Sequence, residues 1–275
     1  MGYTRQYYYK QCSDIAKEES KKVQVKYLVD QQRKLLPRVG TRKLYYLIKS
    51  QLEAQGIKFG RDKLFALLSE CGLLIKPPRR YTQTTMSKHW MRKWPNLVKG
   101  VAIEEPDQVW VSDITYIKTE EGNCYLNMIT DAYSRKVVGY AIDQTMETES
   151  MINALKMATS TKANKQIKTI HHSDRGVQYC SKEYAQLTRE NNITLSMTEN
   201  SDPYENALAE RMNRTIKEEF GLNRRLKSQQ QVYDLIQESI SLYNQRRPHL
   251  ALNMKTPEQV YRMKKSRLPE AIGIN

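Results

Sequence analysis

The chain has 275 residues, of which 39% are hydrophobic and 27% charged, and its formal net charge is +15. That length supports one substantial core and a smaller domain, and no apolar run approaches the roughly 18 residues of a membrane span. Residues 1–100 hold 22 Lys/Arg against 7 Asp/Glu while the remainder is balanced, so all the surplus positive charge lies in the first third.

A strongly basic module joined to a neutral body fits docking on a polyanion, and nucleic acid is favoured over a merely soluble basic surface. The opening segment MGYTRQYYYKQC has no apolar h-region and no Ser/Thr at the sixth position, so neither a secretion nor a myristoylation signal is expected there. Cys12, Cys71, Cys124 and Cys180 are widely spaced with no C-x-x-C pair. This argues against a disulfide framework or a Cys-rich zinc site and fits a reducing cytoplasm.

In chain order, residues 1–19 show no apolar period and read as a loose tail. Ser20 to Lys34 reads as a helix with Val23, Tyr27 and Val29 as its apolar positions, ended by Pro37. A clearer helix starts at Thr41 as N-cap, with Leu44, Ile48 and Leu52 at i+4 steps, and stops at Gly56. A further helix carries Leu64, Leu67, Leu68 and Cys71 on one face, with Gly72 as its stop. Two short helices around a Gly-bounded turn in a basic region suggest a helix-turn-helix, with an ordinary helical hairpin as the equal alternative.

Residues 76–99 contain seven Lys/Arg, Arg79 and Arg80 among them, and no acid, interleaved with Tyr81, His89, Trp90 and Trp94. The prolines disfavour a helix, so the segment reads as an extended linker suited to tracking phosphates and stacking on bases, or on the next domain. From Gln108 three β-runs follow, VWVSDITYIK, CYLNMITDAYS and KVVGYAID. Then come a helix over Thr148–Thr161, a strand over Lys168–His172, a helix over Ser181–Asn191, a strand over Ile193–Met197 and a helix from Tyr204 to Phe220. The order βββαβαβα is that of an α/β ribonuclease-H-like fold. A helix over Gln229–Arg246 and a Pro-punctuated tail close the chain.

Asp113 lies within an apolar strand and shares a face with Val109, Val111 and Ile117. A carboxylate there costs several kcal/mol unless it is paired, hydrogen-bonded or metal-bound; the alternative is an edge-strand acid reaching solvent. Asp174 follows a strand in HHSDRGVQY and by itself fits a turn cap. Glu210 shares a helical stripe with Asn206, Asn213, Arg214 and Lys217, opposite Leu208, Met212, Ile216 and Phe220, which also describes a solvated face. Taken together, one acid on the first strand, one after the fourth and one on a later helix can meet at the strand ends. Three gathered carboxylates repel, and two Mg2+ or Mn2+ ions, suited to oxygen donors, make such a cluster favourable. Asp131, ahead of Ser134-Arg135, reads as a turn cap instead of a metal ligand.

Asp174 and Glu210 are separated by 35 residues and Lys217 follows Glu210 by seven. This spacing, with VWVSDITYIKTEEGNCYL, DAYSRKVVGYAI, HHSDRGVQYCS, NALAERMNRTIKEE and YNQRRPHLALNMKTPEQVY, resembles the OrfB-type transposases of the IS-three family, with the D,D-35-E signature of integrases. The upstream GTRKLYYLI and CGLLIKP fit as well, so the resemblance spans about residues 33–265. It implies an integrase core with a mixed five-stranded sheet behind a small all-α helix-turn-helix-like domain. The division would be 1–32 tail and helix, 33–75 helix-turn-helix-like domain, 76–100 linker, 101–221 catalytic core and 222–275 helical extension.

The same resemblance implies Asp113, Asp174 and Glu210 as ligands of two Mg2+ or Mn2+ ions. It implies Lys217, Asn213, Arg175, Gln178, Arg79 and Arg80 as DNA contacts. His172 would shape the site, or serve only as a structural hydrogen-bonding group. The implied activity is nicking of element ends and strand transfer, by a bacterial, nucleoid-associated protein acting as at least a dimer on terminal inverted repeats and target DNA. An OrfA-type protein or fusion is the implied partner, because no leucine-zipper segment is visible. The family's Asp-Asn before the Glu helix is Glu205-Asn206 here. The alternatives are a non-catalytic DNA-binding regulator derived from a transposon and a nuclease that cleaves without joining.

Overall fold

The structure, a computed structural model, describes residues 5–75, 94–162, 165–199 and 206–265. The basic stretch that begins at Lys76, with Arg79, Arg80 and Trp90, and also Glu205, lie outside the described residues. Two compact units divide the chain, Met1–Pro78 and Arg79–Asn275.

The first unit is helical: α1 (Arg5–Leu35), α2 (Thr41–Ala54) and α3 (Arg61–Glu70). Helix α1 is longer than the sequence suggests. Its buried residues are Val25, Leu28 and Val29, so the turns before Val25 have no core face and therefore no apolar period to read. Residues 5–19 contain neither Gly nor Pro, and nothing in them breaks a helix. Farther along α1, Lys21–Glu18 and Lys22–Glu19 pairs at 3.5 and 2.9 Å lie along its surface. Val25, Leu28 and Val29 share the buried core of this unit with Leu44, Ile48 and Leu52 of α2 and Leu64, Leu67 and Leu68 of α3. Thr41 is the first helical residue and Gly40 the N-cap, without a side-chain cap bond. Cys71 is exposed and lies outside the apolar face of α3.

The second unit is an α/β sandwich around one sheet. Strands β1 (Val109–Lys118), β2 (Asn123–Asp131), β3 (Val137–Asp143), β4 (Thr169–Ser173) and β5 (Ile193–Met197) are ordered β3-β2-β1-β4-β5. Pairs β1/β2 and β2/β3 are antiparallel; β1/β4 and β4/β5 are parallel. Helices α4 (Thr148–Thr161), α5 (Lys182–Glu190), α6 (Ala207–Glu219), α7 (Gln229–Arg246) and α8 (Pro257–Lys265) complete the unit. The sequence tail thus contains α8, whose Tyr261 is buried.

Strand alternation divides the core into two layers. Trp110, Ile129 and Val138 pack with Met151, Ala154 and Leu155 of α4 and Tyr184 of α5. On the opposite face Ile117, Leu126 and Met128 pack with Met212 and Ile216 of α6 and Val232, Ile236 and Ile240 of α7. Covering both faces explains why these strands read as nearly continuous apolar runs.

Strand β3 and helix α4 meet most closely at Gly139. A Cβ there would lie 2.2 Å from the Ala154 carbonyl oxygen and 2.9 Å from the Ala158 Cβ. Backbone atoms cannot rotate away, so Gly139→Ala is expected to lower the unfolding free energy by about 2–3 kcal/mol. A denaturation midpoint unchanged from wild type would contradict this packing.

Candidate active site

Register builds the centre of the site. Val109 to Ser112 pair in parallel with Ile170 to Ser173, and Ser112↔Ser173 is the last pair. The next residue on each chain is an acid, Asp113 on β1 and Asp174 just past β4. Parallel neighbours are spaced about 4.8 Å apart, so strand pairing itself brings these two carboxylates side by side.

Asp113 is half-buried beneath the first half of α6. Its Oδ2 accepts a hydrogen bond from the Asn213 amide at 2.9 Å, and its Oδ1 accepts one from the Ile114 N–H at 2.9 Å. Burial pushes its pKa up to about 7; the Asp174 charge adds to the rise, the Asn213 bond opposes it, and Glu210 adds again. Its two hydrogen-bond donors are neutral, so they leave the net charge of the site unchanged.

Glu210 is exposed on the first turn of α6. Burial raises its pKa, Arg214 pulls it back, and the Asp174 charge adds to the rise. All three acids therefore feel one another electrostatically. They do not yet form a closed cage: among the described residues no three His, Cys, Asp or Glu side chains stand close enough to hold an ion. The helix explains this. One side of α6 is locked to the sheet through Met212, Asn213 and Ile216, whereas the Glu210 side chain leaves the outer side toward solvent. At the far end of α6, Arg247 donates two 2.6 Å bonds to the Glu219 carboxylate.

The remaining site residues fall into place as follows. Lys217 Nζ donates to Thr115 Oγ1 at 3.1 Å and to the Tyr116 carbonyl at 2.7 Å, and lies 4.9 Å from the centre of the Tyr116 ring. Burial lowers its pKa, and the Asp113 charge opposes that. Both Asn213 and Lys217 thus turn their polar ends to β1. Arg175 Nε donates to the Thr198 carbonyl at 2.7 Å, and the Gln178 amide donates to the Met146 carbonyl at 3.2 Å. Gly176 donates to Asp174 Oδ1 at 3.1 Å, so Asp174 also closes its own turn. His172 is buried, with Nδ1 2.9 Å from the Ser196 hydroxyl. Its neighbour His171 is buried on the other face, and burial drives its pKa down to about 3.

Asp131 is wholly buried and separate from this cluster. Its carboxylate accepts from the Ser134 N–H at 2.7 Å, the Ser134 hydroxyl at 2.5 Å and the Asp107 N–H at 2.8 Å. It caps the β2–β3 turn. Sequence reasoning missed Asp107, which accepts from Trp110 Nε1 at 3.1 Å and from the Tyr261 hydroxyl at 2.9 Å. Its one sequence signal is an acid in a turn just before a strand; the partner that matters lies 154 residues away.

Residues 103–203 match the model of an integrase core domain family, and residues 191–257 match a second integrase core domain model. The chain is 36% identical over 220 residues to the "Insertion element IS600 uncharacterized 31 kDa protein" of Shigella sonnei, covering 79% of each. It is 31% identical over 208 residues to the "Transposase for insertion sequence element IS629" of Shigella sonnei, covering 76% of this chain and 68% of that one. Among solved structures, the simian T-cell lymphotropic virus intasome in complex with PP2A regulatory subunit B56 gamma aligns with a TM-score of 0.51 at 19% identity. That alignment covers 86% of this chain and 80% of the other. At that identity the likeness speaks for the fold alone, which is the ribonuclease-H-like, integrase-type α/β arrangement.

The raised Asp113 pKa has a consequence for stability. A carboxyl with a folded pKa of about 7 against an ordinary 3.8 favours folding most when protonated. That stability is fully present below about pH 4 and is lost as pH rises through 7. With EDTA present, Asp113→Asn is expected to be more stable than wild type at pH 8 by on the order of 1–3 kcal/mol, and about equal to it at pH 4. Paired thermal melts at the two pH values check this; a variant less stable than wild type at pH 8 contradicts it.

Proposed function

The chain belongs to the IS3-family insertion-element transposases, which carry an integrase catalytic core, and from that premise we propose that Asp113, Asp174 and Glu210 are its catalytic carboxylates. It is a DDE-type polynucleotidyl transferase of DNA transposition and integration. The observation that supports the site assignment is that Asp113 and Asp174 each follow the last β1–β4 register pair, with Glu210 within electrostatic reach of both. A purely DNA-binding regulator gains nothing from holding three repelling acids together, and no observation favours that alternative.

The donor set fits a hard divalent cation. All three groups offer carboxylate oxygens, their charges repel, and burial leaves Asp113 short of compensation, which magnesium or manganese relieves. We assign two ions to the site, held by Asp113, Asp174 and Glu210. When bound, such ions supply the charge that activates the attacking oxygen and stabilises the leaving 3′ oxygen of an in-line phosphodiester displacement.

The protein's own groups do the rest. Asn213 fixes the Asp113 carboxylate through its amide, and the Lys217 ammonium, tied to β1, places positive charge behind it. Glu210 is the most exposed of the three acids, and its rotation toward the two aspartates completes the site when cations are present. In the first step water cleaves a phosphodiester at the element's end, leaving a 3′-hydroxyl and a 5′-phosphate. In the second that hydroxyl attacks another phosphodiester, forms the new P–O bond and displaces that strand's 3′ oxygen. Neither step links DNA to the protein, and a single-end attack gives a circular intermediate before integration.

Further assignments belong to the same reading. Arg79 and Arg80 in the basic linker, with Arg175 and Gln178, serve as the DNA-facing group, whereas Lys217 and Asn213, expected from sequence to contact DNA, turn to β1 and serve Asp113 instead; His172 shapes the site through its bond to Ser196. Residues 33–75 act as a helix-turn-helix-like module, 101–221 as the catalytic core and 222–275 as its extension. The active assembly pairs two element ends, so it contains at least two copies, joined by an OrfA-type protein or fusion, in the bacterial nucleoid.

Glu210→Gln keeps the shape of the side chain and removes its charge. In a strand-transfer assay with Mg2+ and DNA carrying the element's ends, joining is expected to fall at least about a hundredfold. EDTA abolishes the wild-type reaction and Mn2+ restores it. Asp131→Asn, at a turn away from the triad, retains substantial joining. Near-wild-type joining by Glu210→Gln sinks the assignment of the triad.

A further inference from the structure

Ser112 connects all three elements that carry the acids. It directly precedes Asp113 on β1, and it is the last β1 residue paired with β4, opposite Ser173 and one step before Asp174. Its side chain leaves the sheet on the face opposite Asp113. There its hydroxyl hydrogen-bonds the Tyr179 hydroxyl, which belongs to the 3-10 turn Val177–Cys180 that closes the Asp174 loop. Its carbonyl accepts a 3.1 Å bond from the side-chain amide of Asn206, the N-cap of α6, one turn before Glu210. All three residues are buried, and Tyr179 is wholly inaccessible.

We propose that Ser112, Tyr179 and Asn206 form a positioning hub that fixes the spacing of the triad. The inference rests on the reading of Asp113, Asp174 and Glu210 as the cation site. The physical need is clear. Three like charges push their supporting backbones apart, and the Asp174 loop and the first turn of α6 are not part of the sheet ladder. A buried hydroxyl pair and a buried amide–carbonyl bond resist that push without adding a group to the reaction. Among the described residues the Ser112 and Tyr179 hydroxyls have each other as hydrogen-bond partners, in a buried layer where such a bond is strong. Gly176, where a Cβ would come within 3.2 Å of Asp174 Oδ1 and 3.3 Å of Tyr179 Cδ2, keeps the loop tight between acid and ring.

The test is isothermal titration of the full chain with MnCl2, which reads site geometry without turnover. Wild type and Asp113→Asn establish the site: binding by the first, lost in the second. Tyr179→Phe and Ser112→Ala are each expected to weaken Mn2+ binding about tenfold, with the melting temperature measured alongside to show an intact fold. The double variant is expected to be no weaker than the weaker single one, because both substitutions delete the same bond. Asn206→Ala also weakens binding, and its effect multiplies with that of Tyr179→Phe. Tyr184→Phe removes another hydroxyl from the same buried layer, 3.4 Å from His171 Nε2 and away from the acid-bearing loops, and should leave binding unchanged. Wild-type binding equal to that of Asp113→Asn overturns the cation-site reading and the hub with it. Binding by Tyr179→Phe equal to wild type, or an equal loss in Tyr184→Phe, overturns the hub alone.

Discussion

Two carboxylates held side by side by strand register are the constraint on which the catalytic unit depends. Like charges about 4 Å apart repel by about 4 kcal/mol at an effective dielectric near 20, and the Asp174 charge does raise the Asp113 pKa. The sheet bears that repulsion because β1 is central, flanked by β2 and β4, with helices packed on both faces. Burial and the neighbouring acids together raise the Asp113 pKa, so the repulsion at this place is carried by the surrounding fold.

Helix α6 carries the third acid. Its inner stripe, Ala209, Met212 and Ile216, belongs to the apolar core. Asn213 and Lys217, on the flank, reach β1 and restrain the strand around Asp113. Glu210 occupies the outer edge of the first turn, where a side chain can turn without disturbing the core. One amphipathic helix therefore carries both residues bonded to the strand, Asn213 and Lys217, and an exposed acid, Glu210.

A second acidic pair, Asp107 and Asp131, sits in a different environment from Asp113. Both are also buried, yet Asp131 accepts from turn N–H groups and a hydroxyl, and Asp107 draws in Trp110 and Tyr261. Burial raises Asp131 to about pH 6 while the Ser134 bonds oppose the rise. These donors bind the carboxylates into the fold. The donors at Asp113 are fewer, and its neighbours Asp174 and Glu210 are acids.

Much of this was legible in the sequence because the relevant physics is local or periodic. The βββαβαβα order follows from apolar runs and turns, and β5, α4 and α7 end where their patterns end. Asp113, Asp174 and Glu210 stood out by spacing and by the surrounding motifs that resemble transposases. The first turns of α1 and the whole of α8 were not legible: the former bury nothing, and the latter is defined by what Tyr261 touches. The destinations of Asn213, Lys217 and Tyr179 were equally hidden. Each sits on a stripe or in a turn that sequence alone assigns only to a face, and a face can look to solvent, to DNA or to a strand a hundred residues away. The chain by itself determined which elements form and which residues carry charge. Only the tertiary structure decided which charges meet, because hydrogen-bond partners and desolvation are fixed by what packs against a side chain, not by what precedes it.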